Sequence, residues 1–376
     1  MPRNINDRLT HLNSRRSGTD RITSLNSTFA ADAIAKSLLQ ESYQKRATSA
    51  QPHTRYALGA MQEVSANYTR IGLETAEKVG KQLVALSMAV EFRLQGSVPL
   101  NVHIRGVSDV DLLTLDTGYR TYAPGGTRAQ AGMYRYPDSR GSVAVLSALR
   151  AEAERLLKNA YPAAKVDCSK GKCIALSGGS LARPVDVVPS HWYDSTDYQA
   201  SMQEHDRGVV ILDKNVPEAV DNMPFRHIKR VHDRDVSLLG GLKKAIRLTK
   251  NVKNDAESST AAKLPSFDIA ALLYHADQSA LRSGYTYELA ILRETQRFLD
   301  WCWHNKDAAK ALRTPDGSRT ILNTADKMSA LLTISSEMDA LAKEVAKEQV
   351  ATLRYAEPSW LQVDEALRKA YIPAAA

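Results

Sequence analysis

Residues 92–116 read FRLQGSVPLNVHIRGVSDVDLLTLD, and the fold turns on how they are read. A turn carrying Gly96-Ser97 leads through a short apolar segment into Asp109-Val110-Asp111. Successive side chains of a β-strand point to opposite faces, so Asp109 and Asp111 share one face while Val110 and Leu112 enter a core. Two carboxylates this close repel, and a divalent cation relieves the repulsion. Gly96 lets a backbone N–H approach a phosphate, and Ser97 adds a hydroxyl donor. A phosphate-gripping turn beside a carboxylate pair is the start of a site for metal-assisted phosphoryl or nucleotidyl transfer. Either half alone is weak, since Gly-Ser occurs in any turn and Asp-X-Asp can be a solvated strand face.

A third carboxylate strengthens the reading. Residues 183–189, RPVDVVP, are a short β-branched run with Asp186 at the centre, alternating with Val185 and Val187. An unpaired Asp is costly to bury in an apolar strand, so this one must reach a metal, solvent or another cation.

The order GS, apolar spacer, SDVDLL and PVDVVP resembles the nucleotidyltransferase superfamily of polymerase-β type. Within it, the chain resembles the bacterial cGAS/DncV-like nucleotidyltransferases, relatives of animal cyclic GMP–AMP and oligoadenylate synthases. The likeness extends to GGLKKAIRLTKNVKND (240–255), LPSFDIAALLYHAD (264–277) and RTPDGSRTIL (313–322), and covers roughly residues 65–345.

The resemblance implies an α+β fold. A polymerase-β-like nucleotidyltransferase lobe, with a mixed sheet, helices and a long spine helix, is joined to an α-helical C-terminal lobe, with the active site in the cleft between them. It implies two Mg²⁺ ions, with Mn²⁺ able to substitute, on Asp109, Asp111 and Asp186 as the catalytic trio. Gly96 and Ser97 are then expected on the donor β- and γ-phosphates, with Lys243 and Ser266 assisting and Phe267 stacking on a base. Lys244 and Arg247 are alternatives to Lys243. Phe267 stands where some relatives have Tyr, and Asn101 where many have Thr.

The implied reaction takes NTPs, ATP among them, to a cyclic di- or trinucleotide or a linear oligonucleotide that signals in antiphage defence. An operon-encoded regulator, or ubiquitin-like conjugation machinery acting on the C-terminus, is an implied partner; a small-residue end, Pro373 to Ala376, suits conjugation but equally a frayed terminus. Two other readings compete: a nucleotidyltransferase acting on RNA, tRNA or a small-molecule acceptor such as an antibiotic, and a nucleotide sensor that has lost catalysis. The presence of all three acids argues against the last.

Composition agrees with a folded enzyme. The 376 residues are 43% hydrophobic and 24% charged, and no window approaches 18 continuous apolar residues. No secretory signal is visible at the polar, Arg-rich start, so the cytoplasm is the expected location and no membrane partner is implied. Three cysteines do not make a disulfide framework, and no Cys/His set has zinc spacing. Cys168 and Cys173 flank a hairpin turn and read as two reduced thiols. The net charge of +8 suits an enzyme that gathers triphosphates, with nucleic-acid binding the secondary reading.

Four divisions follow: a basic, partly helical N-terminal segment (1–60), the catalytic lobe (61–225), the helical lobe (226–355) and a tail (356–376). Arg3, Arg8, Arg15, Arg16 and Arg21 read as a solvated N-terminal group. Ile71, Val79, Leu83, Leu86, Val90 and Leu94 predict one long helix running into the Gly96 turn. Residues 117–142, rich in Gly, Tyr and Arg, predict a polar loop that either rims the nucleotide site or is an ordinary insertion. A helix over 142–160 and strands over 164–168 and 172–176 follow. Trp192 reads as a packing residue and His191 as a cap. Beyond 235 the chain reads as helical, with Ser266 as an N-cap. Lys243, Arg247 and Lys250 share a face that reads as solvated unless the family role claims it.

Overall fold

The computed structural model describes residues 3–19, 41–134 and 138–374. The chain divides into two compact units. One comprises Ser65–Pro99 and Ser108–Arg230; the other collects Met1–Val64, Leu100–Val107 and Val231–Ala376. The opening stretch is therefore shared: Leu100–Val107, between the glycine turn and the acids, belongs to the helical unit.

The first unit is a seven-stranded mixed sheet with helices. Its strands are β1 (Val90–Gln95), β2 (Val110–Tyr122), β3 (Lys165–Asp167), β4 (Ile174–Ser177), β5 (Val185–Asp194), β6 (Gly208–Asp213) and β7 (Glu218–Asn222). The order is β1-β2-β5-β4-β3, and β6 pairs with both β5 and β7. Only β2 and β5 run parallel; the other pairs are antiparallel. β5 borders β4 through Val185 to Val187 and β6 through Ser190 to Tyr193.

The alternation read from the sequence is present. Val110, Leu112, Val185 and Val187 are buried in one core with Val79, Leu83, Leu146, Leu149 and Leu157. Those partners come from the helices Ala66–Ala85 and Ser142–Ala160. Leu113, Leu115, Val188, Trp192, Val209 and Ile211 form a second cluster. By the strand alternation this is the face on which Asp111 and Asp186 stand.

The predicted long helix is shorter than expected. Ser65 caps Ala66–Ala85, its side chain accepting from the Tyr68 N–H, but the helix stops at Ala85. Ser87, at φ +70°, turns the chain into β1, which delivers it to Gly96. Leu86, Val90 and Leu94 are spaced by four, which satisfies a helical face and also one face of a strand. The loop expected over 117–142 is also partly regular: β2 continues to Tyr122 and Thr127–Gln130 forms a helical turn. Residues 135–137 of that stretch lie outside the described residues.

In the helical unit the N-terminal arginines are not a solvated tail. Asn4 caps the helix Ile5–Ser17, on which Arg8, Leu12 and Arg15 are buried. Arg15 makes a bidentate pair with fully buried Asp255 at 2.5 and 2.8 Å, and Tyr56 donates to the same carboxylate at 2.7 Å. Arg8 pairs with Glu337, and Arg16 with Glu41. Acids on distant parts of the chain neutralise this arginine face, which no local reading reveals. Arg21, and residues 29–40 of the Ala-rich stretch, lie outside the described residues.

The C-terminal stretch is tied down as well. Ser359 and Gln362 form a capping box at the start of Trp360–Arg368, whose Val363 and Leu367 are buried. Arg293 pairs with Asp364. Arg46 donates to the carbonyls of Pro373 at 3.0 Å and Ile372 at 3.4 Å, which ties the chain down as far as Pro373. Residues 375–376 lie outside the described residues. Among the described residues no helix is long and apolar enough to cross a membrane.

Candidate active site

The acidic site is built at the N-terminal ends of the two parallel strands. In the β2·β5 register Asp111 lies directly beside Asp186, and on its other side Asp111 pairs with Gln95 of β1. In-register neighbours of a sheet project to the same face, so the two carboxylates stand side by side. Both are half-buried, between fully buried valines and a leucine.

Gly96 is fixed by this arrangement. It follows Gln95 at φ +78°, in the left-handed region that favours glycine. A Cβ there would overlap Asp111 Oδ2 and lie 3.1 Å from its Cγ. The glycine turn and the second aspartate of SDVD are thus in contact. Ser97 is half-buried in the same turn. Asp109 lies one residue ahead of β2 and is half-buried.

The cation that Asp186 required is a lysine. Lys170, in the turn between β3 and β4, places Nζ 3.1 and 3.3 Å from the two Asp186 oxygens. The Cys173 thiol donates to Asp186 Oδ2 at 3.2 Å. Burial first, and then the Asp186 charge, push this thiol up to about 12, with a smaller push from Asp111. It stays protonated and offers no thiolate. Burial works to lower the Lys170 ammonium, but Asp186, followed by Cys173 and Asp109, holds it above the usual lysine value. All three aspartates therefore act electrostatically on this one hairpin.

The donor set is carboxylate oxygen, which suits Mg²⁺ or Mn²⁺ rather than a thiol-seeking ion. Among the described residues no three Asp, Glu, His or Cys side chains already converge into a cation cage. What fits a hard cation is the in-register carboxylate pair, the glycine cradle against Asp111 and a positive charge already seated on Asp186.

The remaining site residues lie in the helical unit. Lys243, at the start of the helix Gly241–Asp255, has Nζ 3.6 Å from Asp235 Oδ2 and 3.3 Å from His232 Nδ1. Ser266 is exposed at the first position of Ser266–Leu273; it is not the N-cap, a place held by Pro265 without any side-chain bond. Phe267, half-buried, lies 5.4 Å from the Arg319 guanidinium.

Arg247 and Lys250 correct the solvated basic face. Arg247 donates to the carbonyls of Met61 at 2.7 Å and Asn101 at 2.8 Å, and Lys250 to that of Val102 at 2.6 Å; both are buried. Met61 ends the helix Pro52–Met61, so a cation there satisfies an orphan carbonyl at the negative end of a dipole. Burial lowers Arg247 to about 10. These residues hold backbone, which removes Arg247 as an alternative to Lys243. Lys244 is engaged by Glu288 at 2.7 Å. Asn101, at φ +55°, donates to Glu63 at 2.5 Å.

Tyr122 and Tyr134 of the Tyr- and Arg-rich stretch lie at the other end of the strands from the acids. Tyr122 stacks on Tyr134 at 4.1 Å, and Tyr134 donates to Asp194 at 2.8 Å, at the C-terminal ends of β2 and β5. Tyr122 pairs with Asp194 and Asp111 with Asp186, which are eight steps apart along β5, roughly 26 Å. Trp192 packs as read and bonds Glu91, whereas His191 is not a cap: it is buried within β5, where its ring bonds the Trp192 carbonyl and Ser142 Oγ.

The sequence reading missed Lys170 and the buried Arg150 that fixes its hairpin. Their one signal was the basic Ser169-Lys170-Gly171-Lys172 turn ahead of an acid-bearing strand, which is indistinguishable from any surface hairpin.

A mixed sheet with paired aspartates on adjacent parallel strands, one of them packed on a glycine turn, defines a nucleotidyltransferase lobe of polymerase-β type. The family profile described as the cGAS/DncV-like nucleotidyltransferase C-terminal helical domain matches residues 231–342. The chain is 42% identical over 312 residues to the cyclic dinucleotide synthase CdnE of Yersinia aleksiciae, covering 82% of this chain and 81% of the relative. It is 32% identical over 243 residues to a c-di-GMP synthase of a Lachnospiraceae bacterium, covering 58% and 68%. Among solved structures, the STING-associated CdnE c-di-GMP synthase of Capnocytophaga granulosa superposes with a TM-score of 0.68 at 25% identity, over 90% of this chain and 97% of that one. The chain belongs to the cGAS/DncV-like nucleotidyltransferases, and it is a nucleotidyltransferase.

Proposed function

We propose that this nucleotidyltransferase joins two ribonucleoside triphosphates into a cyclic dinucleotide, using Mg²⁺ held by Asp109, Asp111 and Asp186. The observation that carries the reading is the in-register pairing of Asp111 with Asp186, with Gly96 packed against Asp111. Bound Mg²⁺ supplies charge neutralisation at the α-phosphate and acidifies the attacking hydroxyl. The Gly96 turn presents its backbone N–H, and Ser97 its hydroxyl, to the donor β- and γ-phosphates. Lys243 and Ser266 add charge and hydrogen bonds to the triphosphate, and Phe267 offers a face to a base. Asp186 orients the attacking 2′- or 3′-oxygen, pyrophosphate leaves, and a second transfer closes the ring.

The choice of a cyclic product rests on likeness to relatives described as cyclic dinucleotide and c-di-GMP synthases. The role in antiphage signalling rests on likeness to the STING-associated relative. Product analysis tests the reading. Purified protein is incubated with all four labelled NTPs and Mg²⁺ or Mn²⁺, treated with phosphatase and resolved by chromatography and mass spectrometry. A phosphatase-resistant dinucleotide formed from NTPs alone is the expected result. Product that forms only when RNA or a small-molecule acceptor is added would assign the chain to acceptor transfer instead.

A further inference from the structure

Lys170 sits on the acidic face, and its position is built rather than sampled. Arg150, whose side chain is 4% exposed, donates to the carbonyls of Lys170 and Gly171 at 2.8 Å, Cys173 at 3.0 Å and Cys168 at 3.3 Å. One guanidinium thus ties down the whole turn. Gly171 packs against the side chains of Asp213 and Asn215, where a Cβ would lie 2.8 Å from Asn215 Nδ2, and its carbonyl accepts from the Lys214 N–H at 3.1 Å. β4 is hydrogen-bonded to β5 with Ala175 opposite Asp186. From this fixed turn the lysine spans to both oxygens of Asp186.

We propose that Lys170 is a positioning residue for the metal site: its ammonium is the resident counter-cation of Asp186 and competes with the divalent ion for that carboxylate. The inference rests on reading Asp186 as a metal ligand. Lys170 offsets the charge of Asp186 and holds its carboxylate in place before the ion arrives. An entering ion needs an oxygen that the ammonium already contacts, so binding the metal requires at least part of the pair to open. The lysine side chain is 44% exposed, and Asp186 14%, so the ammonium can withdraw into solvent while the clamped turn stays still.

The test is Mn²⁺ binding to the full chain without nucleotide, read by electron paramagnetic resonance, together with melting in EDTA and in saturating Mn²⁺. A half-exposed ion pair of this kind corresponds to about threefold to fivefold in affinity. Lys170→Met is expected to bind Mn²⁺ more tightly by that factor and to melt below wild type in EDTA, with the gap closing in Mn²⁺. Lys170→Arg, which keeps the charge, is expected to return both values towards wild type. Asp186→Asn is the companion variant and is expected to weaken Mn²⁺ binding. If Asp186→Asn, or the wild type itself, shows that Mn²⁺ does not depend on this carboxylate, the metal reading fails and the proposal falls with it. If Asp186→Asn weakens binding while Lys170→Met leaves it unchanged or weaker, the metal reading stands and the proposal alone is overturned.

Discussion

Replacing Gly96 by alanine separates the cost of a strained turn from the cost of a displaced catalytic group. At φ +78° an L-residue carries a penalty of about 1–2 kcal/mol, which should lower the melting temperature by only a few degrees. The added methyl has a second effect. It would overlap Asp111 Oδ2 and lie 3.1 Å from Cγ, so the carboxylate must move by about 1 Å. A displacement of that size in a reacting constellation corresponds to about 100-fold in rate. The expected phenotype is therefore a folded protein with a small stability loss and a rate of nucleotide joining reduced about 100-fold. Gly125→Ala is the control, since a Cβ there meets nothing within 4 Å. The assay is initial-rate product formation on both variants beside denaturant melts. A Gly96→Ala enzyme with wild-type rate would refute the placement of Asp111 in the chemistry, and equal loss in Gly125→Ala would refute the steric argument.

Three further outcomes are expected. Arg247→Ala should lower stability by about 2–4 kcal/mol, because it strips the Met61 and Asn101 carbonyls of a buried charged donor; a denaturant melt measures it. Lys243→Ala should instead raise the KM for the donor nucleotide with little change in the melt, whereas an unchanged KM would remove Lys243 from the triphosphate site. Glu288 supplies a pH dependence. Burial raises its carboxyl, but Lys244 and Arg46 together hold it below its ordinary value of 4.5. A depressed carboxylate contributes stability that is complete above the unfolded value and is lost as the pH falls through the folded one. The stability advantage of wild type over Glu288→Gln should therefore be full at pH 6 and shrink below about pH 4.5, as followed by thermal melts.

The acidic pattern was legible because it is local. SDVDLL and PVDVVP alternate acid with buried aliphatic residues, and that alternation fixes which face each side chain takes before any partner strand is known. The pairing of Asp111 with Asp186 is a matter of register between strands about 75 residues apart. Only the family resemblance suggested it. The spine helix was overextended because Leu86, Val90 and Leu94 fit both periods. Local sequence does not report a left-handed Ser87. Arg8, Arg15, Arg247 and Lys250 looked solvated for a different reason: their partners are Glu337, Asp255 and the carbonyls of Met61, Asn101 and Val102, most of them far away in the chain. A charge run is buried only where such partners exist, and that is a tertiary fact. Lys170 escaped notice on the same grounds.

The central claim is that Asp109 and Asp111, standing beside Asp186 of β5, carry nucleotide joining. The most direct test is the double variant Asp109→Asn with Asp111→Asn, assayed beside wild type on labelled NTPs with Mg²⁺ or Mn²⁺. Loss of the phosphatase-resistant product, with circular dichroism and melting close to wild type, is the predicted result. Undiminished product from the double variant would contradict the account.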